Sequence, residues 1–298
     1  MSNYTEGILI LLMINGIAAM GVSLLTGFTG IFTLGHAAYL AIGSYTTAIL
    51  TLDYGLHWFP AILIGGMLAM AVGYLVGLPT LKLMGDYYAI ASIGLAESIR
   101  LIIENWQSVT NGARGIPGID TFTTLPITAG FFVVMAYGAF CLIDGRFGRA
   151  FKACRDDHVA ASLLGFNTPR CRVLSLSISA FYVGIAGGLY AGFISFIQPV
   201  MFDMLKSTEM TAVVVFGGLG SMSGALLGTT IITLVTELFR PISQYRMLIY
   251  GLVLVLVMIF RPEGILGQHE VGPALFRRLG RLFRRNAAAT PEERRSSR

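Results

Sequence analysis

Residues 7–52 read GILILLMINGIAAMGVSLLTGFTGIFTLGHAAYLAIGSYTTAILTL, and none of these 46 positions is Asp, Glu, Lys or Arg. A helix crossing a hydrocarbon core of roughly 30 Å needs about 20 apolar residues, so this stretch alone has room for two crossings. Working outward, 54–81 is a second uncharged run of 28 residues, and others cover 121–143, 173–202, 210–236 and 247–260. Across all 298 residues, 55% are apolar and 12% charged, where a soluble domain averages about 25% charged. A membrane β-barrel would alternate apolar and polar residues in segments of about ten, which IAAMGVSLL (17–25) and LVLVLVMIF (252–260) do not. The chain therefore reads as all-α, a polytopic transmembrane helical bundle. No basic residue precedes the first apolar run and no small-x-small site ends it, so Gly7–Thr26 reads as a retained span and not a signal peptide.

The net charge of +5 is unevenly placed. Between Asp144 and Arg172, six basic residues (Arg146, Arg149, Lys152, Arg155, Arg170, Arg172) face three acids, and from Arg261 onward nine arginines face four glutamates. Basic loops are retained in the cytoplasm, so both segments are expected there. Juxtamembrane arginines bind anionic lipid headgroups, so membrane lipid and not nucleic acid is the expected partner of the tail. Its composition, AAATPEERRSSR (287–298), is that of a disordered segment.

Five spans precede the basic loop, near 7–26, 30–52, 59–82, 87–104 and 121–143, which puts the N-terminus outside. Three apolar runs follow, and a cytoplasmic C-terminus then requires one of them to cross twice. The run from Lys206 to Arg240 carries FGGLGSMSGALLG in its middle, with Gly217, Gly218, Gly220, Gly224 and Gly228. Continuous helix is least favoured there, so the expectation is one segment from about Met204 to Phe216 and another from about Met222 to Leu238. Irregular backbone at membrane depth is tolerated where protein or an aqueous cavity satisfies it, which makes Gly217, Gly218 and Gly220 candidates for a translocation path. A single continuous helix over Met210–Glu237, with the tail outside, is the alternative. The four-residue glycine spacings at 184, 188, 192 and at 220, 224, 228 signal close helix packing.

Chemistry-bearing motifs are missing. There is no G-x-x-x-x-G-K-[ST], H-E-x-x-H or G-x-S-x-G; Cys141, Cys154 and Cys171 form no C-x-x-C; and the histidines at 36, 57, 158 and 269 stand apart. The chain is not expected to be an enzyme, nor to bind a cofactor or metal. Within the basic loop, Gly148–Leu164 has apolar residues at three- and four-residue spacing with Gly165 as a stop, which predicts one short amphipathic helix docking on a cytosolic partner. Lying on lipid headgroups is its other reading.

VAASLLG, Val159–Gly165, resembles the EAA-x-x-x-G loop of ABC importer permeases, with Val159 where the pattern has Glu. Around it, KACRDDHVAASLLGFN (152–167), LGHAAYLAIGSYTTAIL (34–50), GDYYAIASIGLAESIRLIIENWQSVTNGARGI (85–116), FGGLGSMSGALLG (216–228) and RPEGILG (261–267) closely resemble branched-chain amino acid importer permeases of the LivM type. The resemblance implies a permease domain over 1–271 with a coupling loop at 144–172, followed by the Arg-rich tail 272–298. It implies broken helices and a cytoplasmic coupling helix touching the ATPase through Arg155, Asp156, Asp157, Ala160, Ala161 and Gly165. Its implied partners are a LivH-type second permease, two cytosolic ATPase subunits that hold ATP and Mg, and an extracytoplasmic binding protein, all at the inner membrane. Its implied cargo is leucine, isoleucine or valine. Urea, short amides or other amino acids on the same scaffold, and an ion-coupled secondary transporter, remain the alternatives.

Polar groups inside spans complete the list of candidates. Glu97, Arg100 and Glu104 lie at i, i+3 and i+7 and share one helix face, where ionisable groups mark function by default or seal the helix to a neighbour. His36 and Tyr39 sit among small residues and need partners from protein or a cavity. TNGARGIPG (110–118) reads as a glycine-rich loop at the outer mouth, in contact with a binding protein or serving as a plain turn.

Overall fold

The computed structural model describes residues 3–80, 83, 85–238, 251, 264 and 267. The tail 272–298 and most of the last apolar run therefore lie outside the described residues. In chain order the helices are α1 (Asn3–Val22), α2 (His36–Leu52), α3 (Trp58–Thr80), α4 (Asp86–Asn105), α5 (Gln107–Thr110), α6 (Leu125–Asp144), α7 (Arg146–Asp156), α8 (His158–Leu163), α9 (Thr168–Ile194), α10 (Met204–Gly217) and α11 (Met222–Leu238). Among the described residues the one sheet is a two-residue antiparallel ladder, β1 (Ile116–Pro117) against β2 (Phe196–Ile197), which joins two inter-helix connections. The protein is an all-α membrane bundle. Tyr4–Gly27, Trp58–Pro79, Leu125–Asp144 and Thr168–Ile194 are each long and apolar enough to cross a bilayer, and α10 and α11 form a pair bent by 118°.

Two expected elements change. The span read as 30–52 becomes a helix only at His36, and α1 ends in a π-helical turn, Ser23–Gly27. The backbone between them is irregular and partly buried, and side chains satisfy part of it: Thr29 Oγ1 donates to Leu24 O at 3.1 Å, and the Leu34 amide donates to Ser92 Oγ of α4 at 3.0 Å. That is the condition under which non-helical backbone persists at membrane depth.

The core is built on α9, whose side chains are buried along most of its length. Asn167 caps its start, accepting from the Arg170 amide at 3.2 Å. Glycines set its spacing to α2 and α3: a β-carbon on Gly187 would overlap Leu40 O, and one on Gly184 would lie 2.7 Å from Ala69 Cβ. Such contacts let backbones approach in lipid, where association rests on packing and hydrogen bonds. Hydroxyls fasten the same seams, with Ser44 Oγ 2.8 Å from Gly187 O and Tyr182 OH donating to Met135 O of α6 at 3.0 Å.

The bundle has two distinguishable ends. At one, the Tyr4 hydroxyl donates to Glu237, and the β ladder gathers the connections that follow α5 and α9. At the other lie the Gly27 end of α1, the α7–α8 loop, the α10–α11 turn and Gly264, whose β-carbon would strike Gly218.

Candidate functional site

The basic loop is two helices and not the single one expected over Gly148–Leu164. Asp157 breaks it: its backbone is extended (φ −156°, ψ 112°), and its carboxylate accepts from the amides of Val159 at 2.8 Å and Ala160 at 3.1 Å. An Asp that caps the next helix cannot also continue the last. Those two N–H donors, that of Ala160 first, hold the Asp157 carboxyl below the ordinary carboxylate range.

α8 stops at Gly165, as expected. With φ +88° at Gly165, the Phe166 amide reaches Ala161 O at 3.1 Å and the Gly165 amide reaches Ser162 O at 3.1 Å, the paired bonds of a Schellman motif. Between these two stops, α8 turns Ala161 inward, at 2% exposure, and leaves Val159, Leu163, Leu164 and Phe166 exposed, Leu163 at 84%. Ala160, Asp156 and Gly165 are also exposed.

Arg155 departs from this surface. Its Nη1 donates to Gly27 O at the end of α1 at 3.2 Å, while Nε and Nη2 both reach Asp156 Oδ1 at 3.2 Å. A β-carbon on Gly220 would collide with Nη1. The residue expected at an ATPase contact therefore meets a glycine expected on the translocation path.

The α10–α11 break falls where expected. Asp203 caps α10 through the Lys206 amide at 3.0 Å, and α10 ends at Gly217, after which Gly218 (φ +126°) and Gly220 (φ +92°) reverse the chain in conformations that side-chain-bearing residues avoid. The returning helix packs on the first, since a β-carbon on Gly224 would lie 2.6 Å from Gly217 O.

His36, Tyr39 and the α4 ionic residues do not join this cluster. His36 is fully buried, with Nε2 2.9 Å from Ser179 Oγ of α9 and Tyr39 edge-on to its ring. His36 Nδ1, and Ser23 Oγ and Thr26 Oγ1 in the π turn, are buried without a hydrogen-bond partner. Arg100 Nε donates to Glu97 at 2.9 Å and Nη1 to Glu104 at 3.1 Å, with side-chain exposures of 19%, 41% and 31% in the order Arg100, Glu97, Glu104. Ser207, which accepts from the Ala37 amide at 2.8 Å, and Thr211, which donates to Thr33 O at 3.1 Å, tie α10 to the start of α2. Nothing in their sequence neighbourhood announces those pairs. Among the described residues no group of three His, Cys, Asp or Glu side chains could hold a metal.

In TNGARGIPG, Asn111 takes a left-handed conformation and Gly115 passes so close to Ile197 O that a β-carbon would not fit. The loop is thereby clamped into the β1–β2 ladder.

An all-α bundle with a glycine-broken helix pair, a partly exposed ion ladder on α4 and a capped helix on a basic loop is a polytopic membrane protein. Residues 4–260 match the family described as the branched-chain amino acid transport system permease component, and the chain belongs to that family. It is 33% identical to the high-affinity branched-chain amino acid transport system permease protein LivM of Escherichia coli K12, over 89% of this chain and 70% of that protein. The LivM protein of Salmonella typhimurium is 32% identical over 85% and 68%. The E. coli LivH permease protein is 27% identical over 85% of this chain and 91% of its own length. No solved structure matches the chain.

Proposed function

We propose that this chain is one transmembrane permease subunit of an ATP-driven importer that moves leucine, isoleucine and valine into the cytoplasm. A LivH-type second permease pairs with it, two cytosolic ATPase subunits hold ATP and Mg, and an extracytoplasmic binding protein delivers the amino acid. The observation that carries this reading is α8, a six-residue helix stopped at both ends that, with the turn after it, leaves Val159, Leu163, Leu164 and Phe166 exposed within the basic loop. Exposed apolar side chains clustered on a rigid element are a protein-binding surface, and a chain without a P-loop needs its motor from a partner. Asp156, Asp157, Ala160, Ala161 and Gly165 build or border that surface.

A zwitterion with a branched apolar side chain needs mostly small and apolar surroundings, and we assign Gly217, Gly218 and Gly220 to the path together with His36, Tyr39, Glu97 and Arg100 as its polar residues. Gly264 returning to the Arg155 end of the bundle supports a cytoplasmic C-terminus at the inner membrane. Proteoliposomes holding both permeases and the ATPases, with binding protein outside and ATP inside, provide the test. Leucine or valine entry that requires ATP is the expected result. Urea entry alone changes the cargo, and uptake that survives ATP removal but collapses with an ion gradient overturns the reading.

A further inference from the structure

Three elements converge on the side chain of Arg155. Its guanidinium meets Gly27 O, its stem covers Gly30 so closely that a β-carbon there would sit 2.7 Å from Arg155 Cγ, and its Nη1 fills the space over Gly220. One turn earlier on α7, Lys152 Nζ stands 5.4 Å from the ring centroid of Phe28, which is fully buried. Both cations thus grip the end of the π turn of α1, at Gly27 and at Phe28 just after it. The grip has an electrostatic cause, because the last carbonyls of a helix lack intrahelical donors and carry the negative end of its dipole. Both Gly30 and Gly220 have positive φ, and a side chain at Gly30 would press on the Arg155 stem while one at Gly220 would press on its Nη1. Directly beyond Arg155 the chain passes Asp156, turns at the Asp157 cap and enters α8.

We infer that Arg155 is a positioning residue that links α8 to the α10–α11 turn and to the end of α1, rather than a residue that touches the ATPase. A displacement imposed on α8 reaches Asp157, moves the last turn of α7, and is delivered through one planar, charged group to Gly27 and Gly220 together. Arg suits this task better than Lys, because its fork holds a fixed geometry while reaching two partners. The inference rests on the ATP-driven permease reading and adds the path by which the motor acts on the broken helix pair.

The test uses the complete reconstituted complex and two readouts. The first is amino acid taken up per ATP hydrolysed, for wild type, Arg155→Ala and Arg155→Lys. The expected result is a fall of about tenfold in Arg155→Ala, within the usual range for coupling between sites, and an intermediate value for Arg155→Lys, with all subunits still co-purifying. The second readout places a cysteine at Ser221, in the buried α10–α11 turn, with Cys141, Cys154 and Cys171 replaced. Its alkylation rate should change between nucleotide-free and vanadate-trapped complexes when Arg155 is present and not change in Arg155→Ala. Co-purification of all subunits with Arg155→Ala separates that loss of response from a loss of fold or assembly. Undiminished uptake per ATP in Arg155→Ala, or an undiminished response at position 221, overturns the inference and leaves the permease reading standing. A wild-type complex without ATP-dependent uptake overturns both.

Discussion

At the scale of single residues, Asp157 decides the shape of the basic loop. Its carboxylate replaces a helical partner for two amides, so Asp157→Ala removes the cap while Asp157→Asn keeps an acceptor oxygen. The expected outcome is a several-fold loss of uptake per ATP for alanine and near-normal coupling for asparagine, measured in the same proteoliposomes. The pH dependence follows from the depressed pKa. A carboxyl held below its unfolded value contributes stability that is full above about pH 4 and is lost as pH falls through the lower folded value, so wild-type coupling should show no pH dependence from Asp157 titration between pH 5 and 8. Cys154 behaves oppositely. Burial, with the neighbouring Cys171 second, pushes its thiol up to about 11, leaving roughly one thiolate in ten thousand at pH 7 against a few in a hundred for a free thiol. Iodoacetamide should therefore alkylate Cys154 at least a hundredfold more slowly than an unfolded control at pH 7, as read by mass spectrometry.

At the scale of elements, α8 and the α10–α11 pair show what sequence makes legible. The pair was readable because Gly217, Gly218 and Gly220 cluster within an otherwise continuous apolar run, and two of them adopt positive φ. The Asp157 break was not, because the residues on both sides keep a helical apolar spacing and Asp is tolerated in helices. Only its own hydrogen bonds reveal it as a cap. The contact of Arg155 with Gly27 lies 128 residues away in sequence, and no local pattern encodes it. The stop at Gly165 was readable, since a Schellman turn needs a left-handed residue where glycine stands. The outward face of α8 leads to a prediction. Burying a Leu side chain contributes about 1.5–3 kcal/mol, so Leu163→Asp with Leu164→Asp should abolish co-purification of the ATPase subunits. The doubly substituted chain should still insert, because both residues are exposed. Unchanged co-purification would remove α8 as the docking element.

At the scale of the whole molecule, the outward surfaces are of two chemical kinds. α3 presents Met67, Leu75 and Leu78, and α6 presents Val133, Val134 and Tyr137, side chains at home in acyl chains. α4 presents Ile90 and Ile102 together with the Glu97–Arg100–Glu104 ladder, all three of whose side chains are partly exposed. On the reading of 87–104 as a span, at about 1.5 Å per residue, Glu97 lies roughly 16 Å along the helix from Asp86, half the thickness of a core of about 30 Å, although α4 is not among the helices apolar enough to cross by themselves. A charge there costs about 3 kcal/mol on insertion scales, and pairing offsets only part of that for three charges. Lipid is thus a poor neighbour for this face, and a second permease or a water-filled path is a suitable one. Replacing all three residues with leucine separates the two environments. Against lipid the triple variant would insert and transport at least as well as wild type. Against a path or a partner subunit it should insert but lose more than tenfold in uptake, and Arg100→Leu alone, which strands two carboxylates, should be at least as severe because a half-satisfied polar network costs more than an apolar one. Apolar exchanges on α3, such as Met67→Leu, should leave uptake unchanged.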